Sequence, residues 1–180
     1  MVLDRDGVIN EDSADFIKSA AEWREIPGSI DAIARLHKAG FRIAVATNQS
    51  GIGRGLISED ALAEIHKKML DRVAAAGGNI DRIIYCPHLP DDQCDCRKPL
   101  PGMLYEVAEH LGCGLQNMIV VGDAARDLEA ARAAGCRAIL VRTGKGQATE
   151  KTFSPAAKAE VYDDLAQAAN KLLAEGGDTQ

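Results

Sequence analysis

The segment from residue 86 to residue 99, CPHLPDDQCDCRKP, places three cysteines and one histidine close together. Cys86, His88, Cys94 and Cys96 follow the pattern C-x-H-x5-C-x-C, and three thiolates with one imidazole are typical of a tetrahedral zinc site. Four protein ligands leave no position for water or substrate, so such a zinc would be structural. The competing interpretation is that Cys86 is a buried thiol at a strand end and the others are incidental. The rarity of cysteine favours zinc.

A second group of candidate residues is the carboxylate pair in the segment LDRDG. Asp4 and Asp6 lie two residues apart, directly after an apolar stretch. Buried carboxylates cost free energy unless a cation or a reaction uses their charge. An Asp-rich turn, in which Gly7 supplies a positive φ, is the alternative explanation of this segment taken alone. The pair by itself does not separate these two possibilities.

Three further segments carry polar groups that could hold a phosphoryl group. Thr47 and Asn48 in TNQSGIGRG offer a hydroxyl and an amide, ahead of a glycine series that lets the backbone approach a ligand. Lys98 is a point charge that can neutralise a phosphoryl oxygen. In VVGDAARD, Asp123 ends an apolar stretch, whereas Asp127 falls in the first turn of a predicted helix, where the helix dipole alone favours a carboxylate. Each segment alone could be an ordinary loop. Whether they form a phosphoryl-binding site depends on whether the fold brings them together.

That placement follows from an alternation of strand-like and helix-like segments. Short runs that are apolar on both faces, as buried parallel strands are, occupy residues 1–4, 41–47, 82–86, 118–123 and 137–143. Amphipathic helices are predicted at 27–40, 58–78, 103–111, 125–134 and 163–176. The pattern predicts an α/β fold, a Rossmann-like doubly wound parallel sheet with helices on both faces, formed by residues 1–180 as a single domain. Ligands bind such sheets at the carboxyl ends of the strands, where the candidate residues should meet.

The composition limits the classes of function. A chain of 180 residues with 46% hydrophobic and 27% charged residues is typical of a globular protein with a sizeable core. The net charge of −6 and the aromatic content of 4% argue against a nucleic-acid partner. No apolar run is long enough to cross a membrane and no signal peptide is visible, so we expect a cytoplasmic protein without a membrane partner. We also expect the protein to act as a monomer.

Taken together, the strand-end groups resemble the haloacid dehalogenase superfamily of phosphatases and phosphotransferases over residues 2–143. The resemblance implies that Asp4 is a nucleophile that forms an aspartyl-phosphate, and that Asp6 is the general acid and base. It also implies a catalytic Mg²⁺ held by the Asp4 carboxylate, the Asp6 backbone carbonyl and Asp123. The remaining phosphoryl oxygens would be bound by Thr47, Asn48 and Lys98.

The intervals between these motifs are too short for a cap domain, so we expect a capless member of the superfamily with a zinc-stapled loop. Recognition would then rest on the loops at 9–26, 50–57 and 86–98. The segments LDRDGVIN, ATNQSGIGRG and CDCRKPLPGM resemble the D-glycero-D-manno-heptose 1,7-bisphosphate 7-phosphatases, which make ADP- or GDP-heptose precursors of lipopolysaccharide core or other glycans. The zinc segment equally resembles the loop of histidinol phosphatases. Ser50 and Arg54 favour the heptose family, and histidinol-phosphate phosphatase is the alternative.

The heptose-family resemblance implies a phosphorylated sugar as substrate. Its contacts would be Arg5, Asp12, Ser13, Ala14, Asp15, Thr47, Asn48, Gln49, Ser50, Arg54, Arg97 and Lys98. Lys98 would bind the reacting phosphate, and Arg97, fixed beside it by the zinc loop, would reach more distant groups through its bidentate fork. Residue 124 is Ala where some relatives carry a polar or basic side chain, so we expect a contact from that position to be lost.

Three points remain open at the level of the sequence. Only three residues precede Asp4, which predicts a short first strand, either frayed or lacking natural N-terminal residues. A polynucleotide 3′-phosphatase belongs to the same superfamily, but the acidic net charge and few aromatic residues disfavour it. A zinc-stabilised scaffold that binds phosphorylated ligands without turnover would be expected to lack Asp4 or Asp6, and both are present. The sequence therefore favours an Mg²⁺-dependent phosphoric monoester hydrolase.

Overall fold

The computed structural model describes residues 1–152 and 159–177, and six strands of these residues form one parallel sheet. The strands are β1 Val2–Leu3, β2 Ala44–Asn48, β3 Arg82–Cys86, β4 Ile119–Gly122, β5 Arg137–Val141 and β6 Glu160–Tyr162. Their spatial order is β3-β2-β1-β4-β5-β6, and every neighbouring pair runs parallel. The chain therefore starts in the middle of the sheet and winds outward in both directions, which confirms the predicted doubly wound α/β fold.

Helices connect the strands. They are α1 Ser29–Lys38, α2 Ser50–Gly53, α3 Glu59–Ala75, α4 Gly102–Leu111, α5 Ala125–Ala134, α6 Gly146–Thr152 and α7 Leu165–Gly177, with a 3-10 turn at Leu115–Asn117. The two short helices α2 and α6 are not predicted from the sequence. Helix α2 forms the first half of the segment at 50–57 that the sequence predicts as a loop. Glycine has a low helix propensity, so the sequence of this segment does not indicate the single helical turn. In the part of the chain that the structure describes, no helix has the length and apolar character of a membrane span.

Helix α3 shows how local sequence sets the boundaries of an element. The Ser58 hydroxyl caps its start by accepting a hydrogen bond of 3.1 Å from the backbone N–H of Ala61. Its buried face carries Leu62, Ile65, His66, Met69 and Val73. Four of these are apolar, as an amphipathic helix requires, and His66 is the exception. A histidine on the core face needs a polar partner there.

Two hydrophobic cores cover the two faces of the sheet. Successive residues of one strand enter different cores: Leu3 and Val121 belong to one, and Val2 and Val120 belong to the other. Helices α1, α3 and α7 contribute to the first core, whereas α4 and α5 contribute to the second. Burial on both faces explains why the strands are apolar without alternation.

Strand β1 is short, as the sequence predicts, and it lies in the interior of the sheet between β2 and β4. Val2 pairs with Ala44 on one side and Val120 on the other. The next ladder bond is donated by the backbone N–H of Asp4 to the carbonyl of Val121, at 2.9 Å. Neighbours on both sides therefore fix the point at which Asp4 leaves the sheet.

Candidate active site

The floor of the candidate site is a buried ion cluster at the carboxyl edge of the sheet. Lys98 Nζ lies 3.0 Å from Asp4 Oδ1 and 2.5 Å from Asp127 Oδ1, and it donates to the backbone carbonyl of Ala46 at 2.8 Å. Each of the three charged side chains is at most 3% exposed. The structure thus brings together Asp4 and Lys98, which the sequence singled out, and adds Asp127 as a third member.

Asp127 is more than the helix-dipole residue that its position in α5 suggested. Its Oδ2 does accept from the backbone N–H of Ala124, at 3.0 Å, as a first-turn carboxylate can. Its other oxygen, however, holds Lys98, and the residue is 0% exposed. Aspartate is almost never fully buried unless it is paired. The signal in the sequence was the spacing of four residues from Asp123, which places both carboxylates at the same end of α5.

Burial and mutual repulsion control the ionisation of these groups. Burial raises the pKa of Asp4, and Asp127 adds to the rise against the opposing pull of Lys98. Burial, followed by the charge of Asp4, raises the pKa of Asp123 to about 7. Burial alone would lower the pKa of Lys98, but Asp127 and Asp4 outweigh it and raise that pKa, so the side chain stays an ammonium. The carboxylates outnumber the buried cation, which favours a further positive charge at this place.

The arrangement of Asp123 fits a divalent metal ion. Oxygens of Asp4, Asp123 and Asp127 lie within 4.8 Å of one another. Asp123 Oδ2 accepts from the backbone N–H of Lys145 at 2.8 Å, whereas its Oδ1 is buried and has no hydrogen-bond partner among the described residues. Both oxygens of Asp127 are engaged, by Lys98 and by the Ala124 N–H, whereas Lys98 contacts only Oδ1 of Asp4. Asp4 and Asp123 are therefore the carboxylates available to a cation that prefers oxygen ligands, such as Mg²⁺. The role predicted for the Asp6 carbonyl stays a prediction.

The Asp6 carboxylate is held by donors on several sides. Arg5 donates to it through Nε at 3.1 Å and through one terminal nitrogen at 2.9 and 3.0 Å. Asn10 Nδ2 and Gln49 Nε2 each donate at 2.9 Å. Burial opposes the charged form, but the Arg5 charge and the hydrogen bonds from Asn10 and Gln49 outweigh it and lower the pKa of Asp6. The free protein therefore holds Asp6 as an oriented carboxylate.

The polar residues at the end of β2 position their neighbours. Gln49 Nε2 donates to Thr47 Oγ1 at 2.9 Å, and Thr47 is 1% exposed. The Asn48 side chain binds the backbone of Lys98 at both ends: Nδ2 donates to the Lys98 carbonyl at 2.9 Å, and Oδ1 accepts from its N–H at 3.1 Å. Asn48 thus holds Lys98 in place, and the phosphoryl contacts of Thr47 and Asn48 stay predictions.

The predicted metal ligands of the segment 86–99 also come together. Cys86 Sγ lies 3.8 Å from Cys94 Sγ, and His88 Nδ1 lies 3.5 Å from Cys86 Sγ and 3.3 Å from Cys96 Sγ. Tetrahedral zinc, with bonds of about 2.3 Å to sulfur and about 2.0 Å to nitrogen, places two sulfurs about 3.8 Å apart and a sulfur and a nitrogen about 3.5 Å apart. Burial and the two neighbouring thiols raise the pKa of Cys96 to about 12, a cost that a bound cation would remove. The donor set fits zinc in both chemistry and spacing.

A cavity of about 310 Å³ opens beside the ion cluster. It is lined by Arg5, Asp6, Asp12, Ser13, Ala14, Phe16, Ile17, Asn48, Gln49, Ser50, Arg97, Arg126 and Lys145. Four of the residues expected to contact substrate are not among these: Asp15 and Arg54, which are exposed, and Thr47 and Lys98, which are buried beneath the cavity. Their roles, like those of the lining residues, stay predictions.

Two cations of this cavity were not predicted. Arg126 lies in the first turn of α5, two residues after Ala124, and one of its terminal nitrogens is 4.0 Å from Asp4 Oδ2. Lys145 follows β5, and its Nζ lies 2.5 Å from Asp12 Oδ2. Burial would lower the pKa of Arg126, but Asp4, Asp127 and Asp123 outweigh it and raise that pKa. With Arg97, they surround the cavity with positive charge, although the net charge of the chain is −6.

Comparisons with known proteins identify the relatives of this chain. A family model described as HAD-hydrolase-like matches residues 95–168. The D-glycero-beta-D-manno-heptose-1,7-bisphosphate 7-phosphatase of Pseudomonas aeruginosa is 53% identical over 96% of this chain and 97% of its own length. Solved structures give the same result. The D,D-heptose 1,7-bisphosphate phosphatase of Bordetella bronchiseptica, complexed with magnesium and phosphate, has a TM-score of 0.93 at 48% identity and covers 97% of this chain and 98% of its own. The corresponding phosphatase of Burkholderia thailandensis has a TM-score of 0.76 at 41% identity, with 96% of both chains covered.

These relatives cover nearly the whole chain at identities of 41% to 53%, which is high enough to establish a family. The chain therefore belongs to the D-glycero-D-manno-heptose 1,7-bisphosphate 7-phosphatase family of the haloacid dehalogenase superfamily.

Proposed function

We propose that the chain is an Mg²⁺-dependent phosphatase that removes the 7-phosphate of D-glycero-D-manno-heptose 1,7-bisphosphate. The observation that carries the proposal is a buried Asp4–Lys98 pair, 3.0 Å apart, beside a cation-lined cavity, in a chain 53% identical to a heptose bisphosphate phosphatase over 96% of its length. The names of the relatives specify the β anomer, and we extend the proposal to that anomer.

Asp4 is the nucleophile of the proposed reaction. One of its carboxylate oxygens bonds to phosphorus while the bond from phosphorus to the sugar O7 breaks, which gives an aspartyl-phosphate and a sugar alkoxide. Lys98, held by Asp127 and by the backbone of Ala46, stays charged beside the phosphoryl oxygens as their negative charge grows. The split into two displacements matters because uncatalysed hydrolysis of phosphate monoesters is extremely slow.

Asp6 moves the protons. It gives a proton to the departing sugar oxygen and later takes one from the water that attacks the aspartyl-phosphate. The clamp formed by Arg5, Asn10 and Gln49 supports the second role directly, since it keeps the carboxylate charged and oriented. The first role requires Asp6 to be protonated when substrate is bound, and a phosphate dianion nearby raises carboxyl pKa values.

Asp4, Asp123 and the backbone carbonyl of Asp6 would hold the magnesium ion, which when bound neutralises charge on the phosphoryl group. Asp123 Oδ1, which has no hydrogen-bond partner among the residues that the structure describes, supports this assignment. The Asp123 carboxylate is fixed for that task by its hydrogen bond from the Lys145 backbone at 2.8 Å.

Three cations of the cavity supply the recognition of a second phosphate. Arg97, Arg126 and Lys145 all line it, and a second phosphate dianion offers acceptors for each of them. Position 124 is Ala and offers no polar contact to the substrate. Arg126, two residues further along the chain, offers a positive charge close to that position. The same cations disfavour histidinol phosphate, because that molecule carries an ammonium group where the bisphosphate carries an anion.

We infer that the Cys₃His cluster binds a structural zinc. Its four ligands would fix the segment that continues directly into Arg97 and Lys98. The Arg97 side chain donates to the carbonyl of His88 at 3.2 Å, so the guanidinium position depends on the folded loop. Loss of zinc should therefore reduce activity without changing any group that reacts.

The deciding experiment is phosphate release with Mg²⁺ from both anomers of the heptose bisphosphate and from histidinol phosphate, with Asp4→Asn as the blank. The proposal predicts fastest turnover of the β anomer and none by the variant. Preference for histidinol phosphate would overturn the substrate, and turnover by Asp4→Asn would overturn the nucleophile. A short 3′-phosphorylated oligonucleotide in the same panel tests the polynucleotide alternative, and phosphate binding without turnover of any substrate would identify a scaffold.

A further inference from the structure

His66 is a buried polar residue that the reaction scheme leaves unexplained. It lies on the core face of α3 and is 9% exposed. Its ring packs against that of Tyr85 in β3, with the centroids 6.1 Å apart and the planes tilted by 58°. Its Nε2 lies 3.4 Å from a terminal nitrogen of Arg5. The imidazole therefore reaches the reaction centre from a helix that carries none of the reacting groups.

The direction of this hydrogen bond fixes the state of the imidazole. A guanidinium group has donors only, so Nε2 of His66 must accept and the ring must be neutral. The ionisable groups that face the ring are Arg5 and Asp6 from the loop after β1 and Tyr85 from β3. Burial and the Arg5 charge lower the pKa of His66 to about 4, against a smaller opposing effect of Asp6. The accepting lone pair is thus available at neutral pH.

Arg5 connects His66 to Asp6. The guanidinium is 1% exposed and supplies three of the five hydrogen bonds that the Asp6 carboxylate accepts from the described part of the chain. Its remaining contacts are with Gln49 Oε1 at 3.2 Å and with His66 at the opposite edge of the plane. A planar fork that is fixed at one edge presents its other edge in one orientation.

We propose that His66 is a positioning residue, whose neutral imidazole orients Arg5 so that the guanidinium aims the Asp6 carboxyl group at the leaving-group oxygen. The inference rests on the proposed function in one respect, the assignment of Asp6 as the general acid. It extends the active site by one layer, from the loop after β1 into α3.

The test compares leaving groups that differ in their need for a proton. His66→Leu removes the acceptor at similar volume, and His66→Gln keeps an acceptor near the position of Nε2. For the sugar bisphosphate, whose alkoxide needs protonation, kcat/KM of His66→Leu should fall about 10- to 100-fold, a part of the usual contribution of a general acid. For p-nitrophenyl phosphate, whose phenolate leaves unaided, it should fall less than about threefold. His66→Gln should recover most of the loss.

An equal loss on both substrates would mean that His66 only supports the fold, and it would overturn the proposal, as would a His66→Gln variant no better than His66→Leu. If His66→Leu does not fold, His66→Phe replaces it, because it keeps a ring against Tyr85 and lacks the acceptor. The wild-type enzyme tests the proposed substrate separately from the role of His66. Failure of the wild type to hydrolyse the heptose bisphosphate would count against the substrate only. An alkyl phosphate that the wild type does hydrolyse would then replace the bisphosphate in the comparison with p-nitrophenyl phosphate.

Discussion

Lys98 and Asp127 form an ion pair, with Nζ 2.5 Å from Oδ1, in which the two side chains are 2% and 0% exposed. The pair joins the loop after β3 to the first turn of α5, which follows β4, and these segments lie on either side of Asp4 at the end of β1. Lys98 thus reaches Asp4 with its terminal group already fixed by a second carboxylate. Buried pairs of this kind are costly to break, because removing one partner leaves a buried charge that is less well compensated.

Asp127→Asn should lower kcat about 100-fold, because Lys98 loses the anion that orients it. The proposed nucleophile, Asp4, is unchanged in this variant. Phosphate release and the free energy of unfolding should be measured together. Glu129→Gln, an exposed change on the same helix, is the matched control and should be neutral. Wild-type activity of Asp127→Asn would show that Lys98 needs no anchor.

Arg126→Ala should raise KM for the bisphosphate about 10- to 100-fold, the usual contribution of hydrogen bonds to a charged group. Heptose 7-phosphate, which lacks the second phosphate, should be hydrolysed with an unchanged KM. Arg132→Ala, at an exposed position of the same helix, serves as control. An equal rise of KM for both substrates would instead assign Arg126 to the reacting phosphate.

Gly144→Ala should damage the proposed magnesium site through a steric clash. A Cβ at Gly144 would lie within van der Waals overlap of Asp123 Oδ2, in a backbone conformation with φ of +57°. Gly112 has nearly the same φ, +60°, and no neighbour within 4 Å of its Cβ position, so Gly112→Ala carries the same backbone strain without the clash. The Mg²⁺ concentration for half-maximal activity should rise only in Gly144→Ala. Equal behaviour of the two variants would remove the argument for a tightly packed Asp123.

Selective removal of zinc at saturating Mg²⁺ should lower kcat at least about tenfold, because small displacements of a catalytic group are costly. Elemental analysis should find one zinc per chain in the wild type and none in Cys94→Ser. Cys113→Ser, which changes a cysteine outside the cluster, should keep both zinc and activity. Full activity of the zinc-free enzyme would contradict a supporting role for the metal.

His66 makes stability depend on pH. Its pKa is about 4 in the folded protein and 6.5 when unperturbed, so between these values the unfolded chain binds the extra proton and stability falls as pH falls. From pH 7 to pH 5 the wild type should lose about 2 kcal/mol more stability than His66→Gln. Asp123, with a raised pKa, acts in the opposite direction but is present in both proteins, so it cancels in the comparison. Denaturant titrations at the two pH values measure the difference. An equal loss of unfolding free energy in the two proteins between pH 7 and pH 5 would contradict a lowered pKa of His66 in the folded state.

The sequence predicts the fold well because the information is local. The five predicted strands and the long helices are visible as apolar periodicity, and strand ends are where a parallel sheet collects ligands. The Cys₃His set is likewise close in the chain, so spacing alone suggests it. The meeting of the carboxylates at one edge of the sheet then follows from a general rule of the fold.

What the sequence does not reveal depends on contacts between distant segments. Asp127 and Arg126 look like ordinary charged residues of a helix until Lys98 and Asp4 are placed beside them. His66 sits in an apolar stripe, and its partner Arg5 lies 61 residues away in the chain. Lys145 follows a strand whose end carries no recognisable motif. Periodicity tells which face a residue occupies, but not which charge it meets there.

Lys145 and Asp12 both line the cavity and form an ion pair there, so a phosphate group that binds Lys145 must compete with the Asp12 carboxylate. The two residues come from opposite ends of the chain, and the lysine side chain is 53% exposed, so the contact contributes little to stability and weakens as salt is added. An arriving phosphate dianion can exchange with the Asp12 carboxylate, whereas a neutral sugar cannot. Under the proposed function, the Lys145–Asp12 pair would therefore favour charged over neutral molecules before the shape of the cavity distinguishes among them.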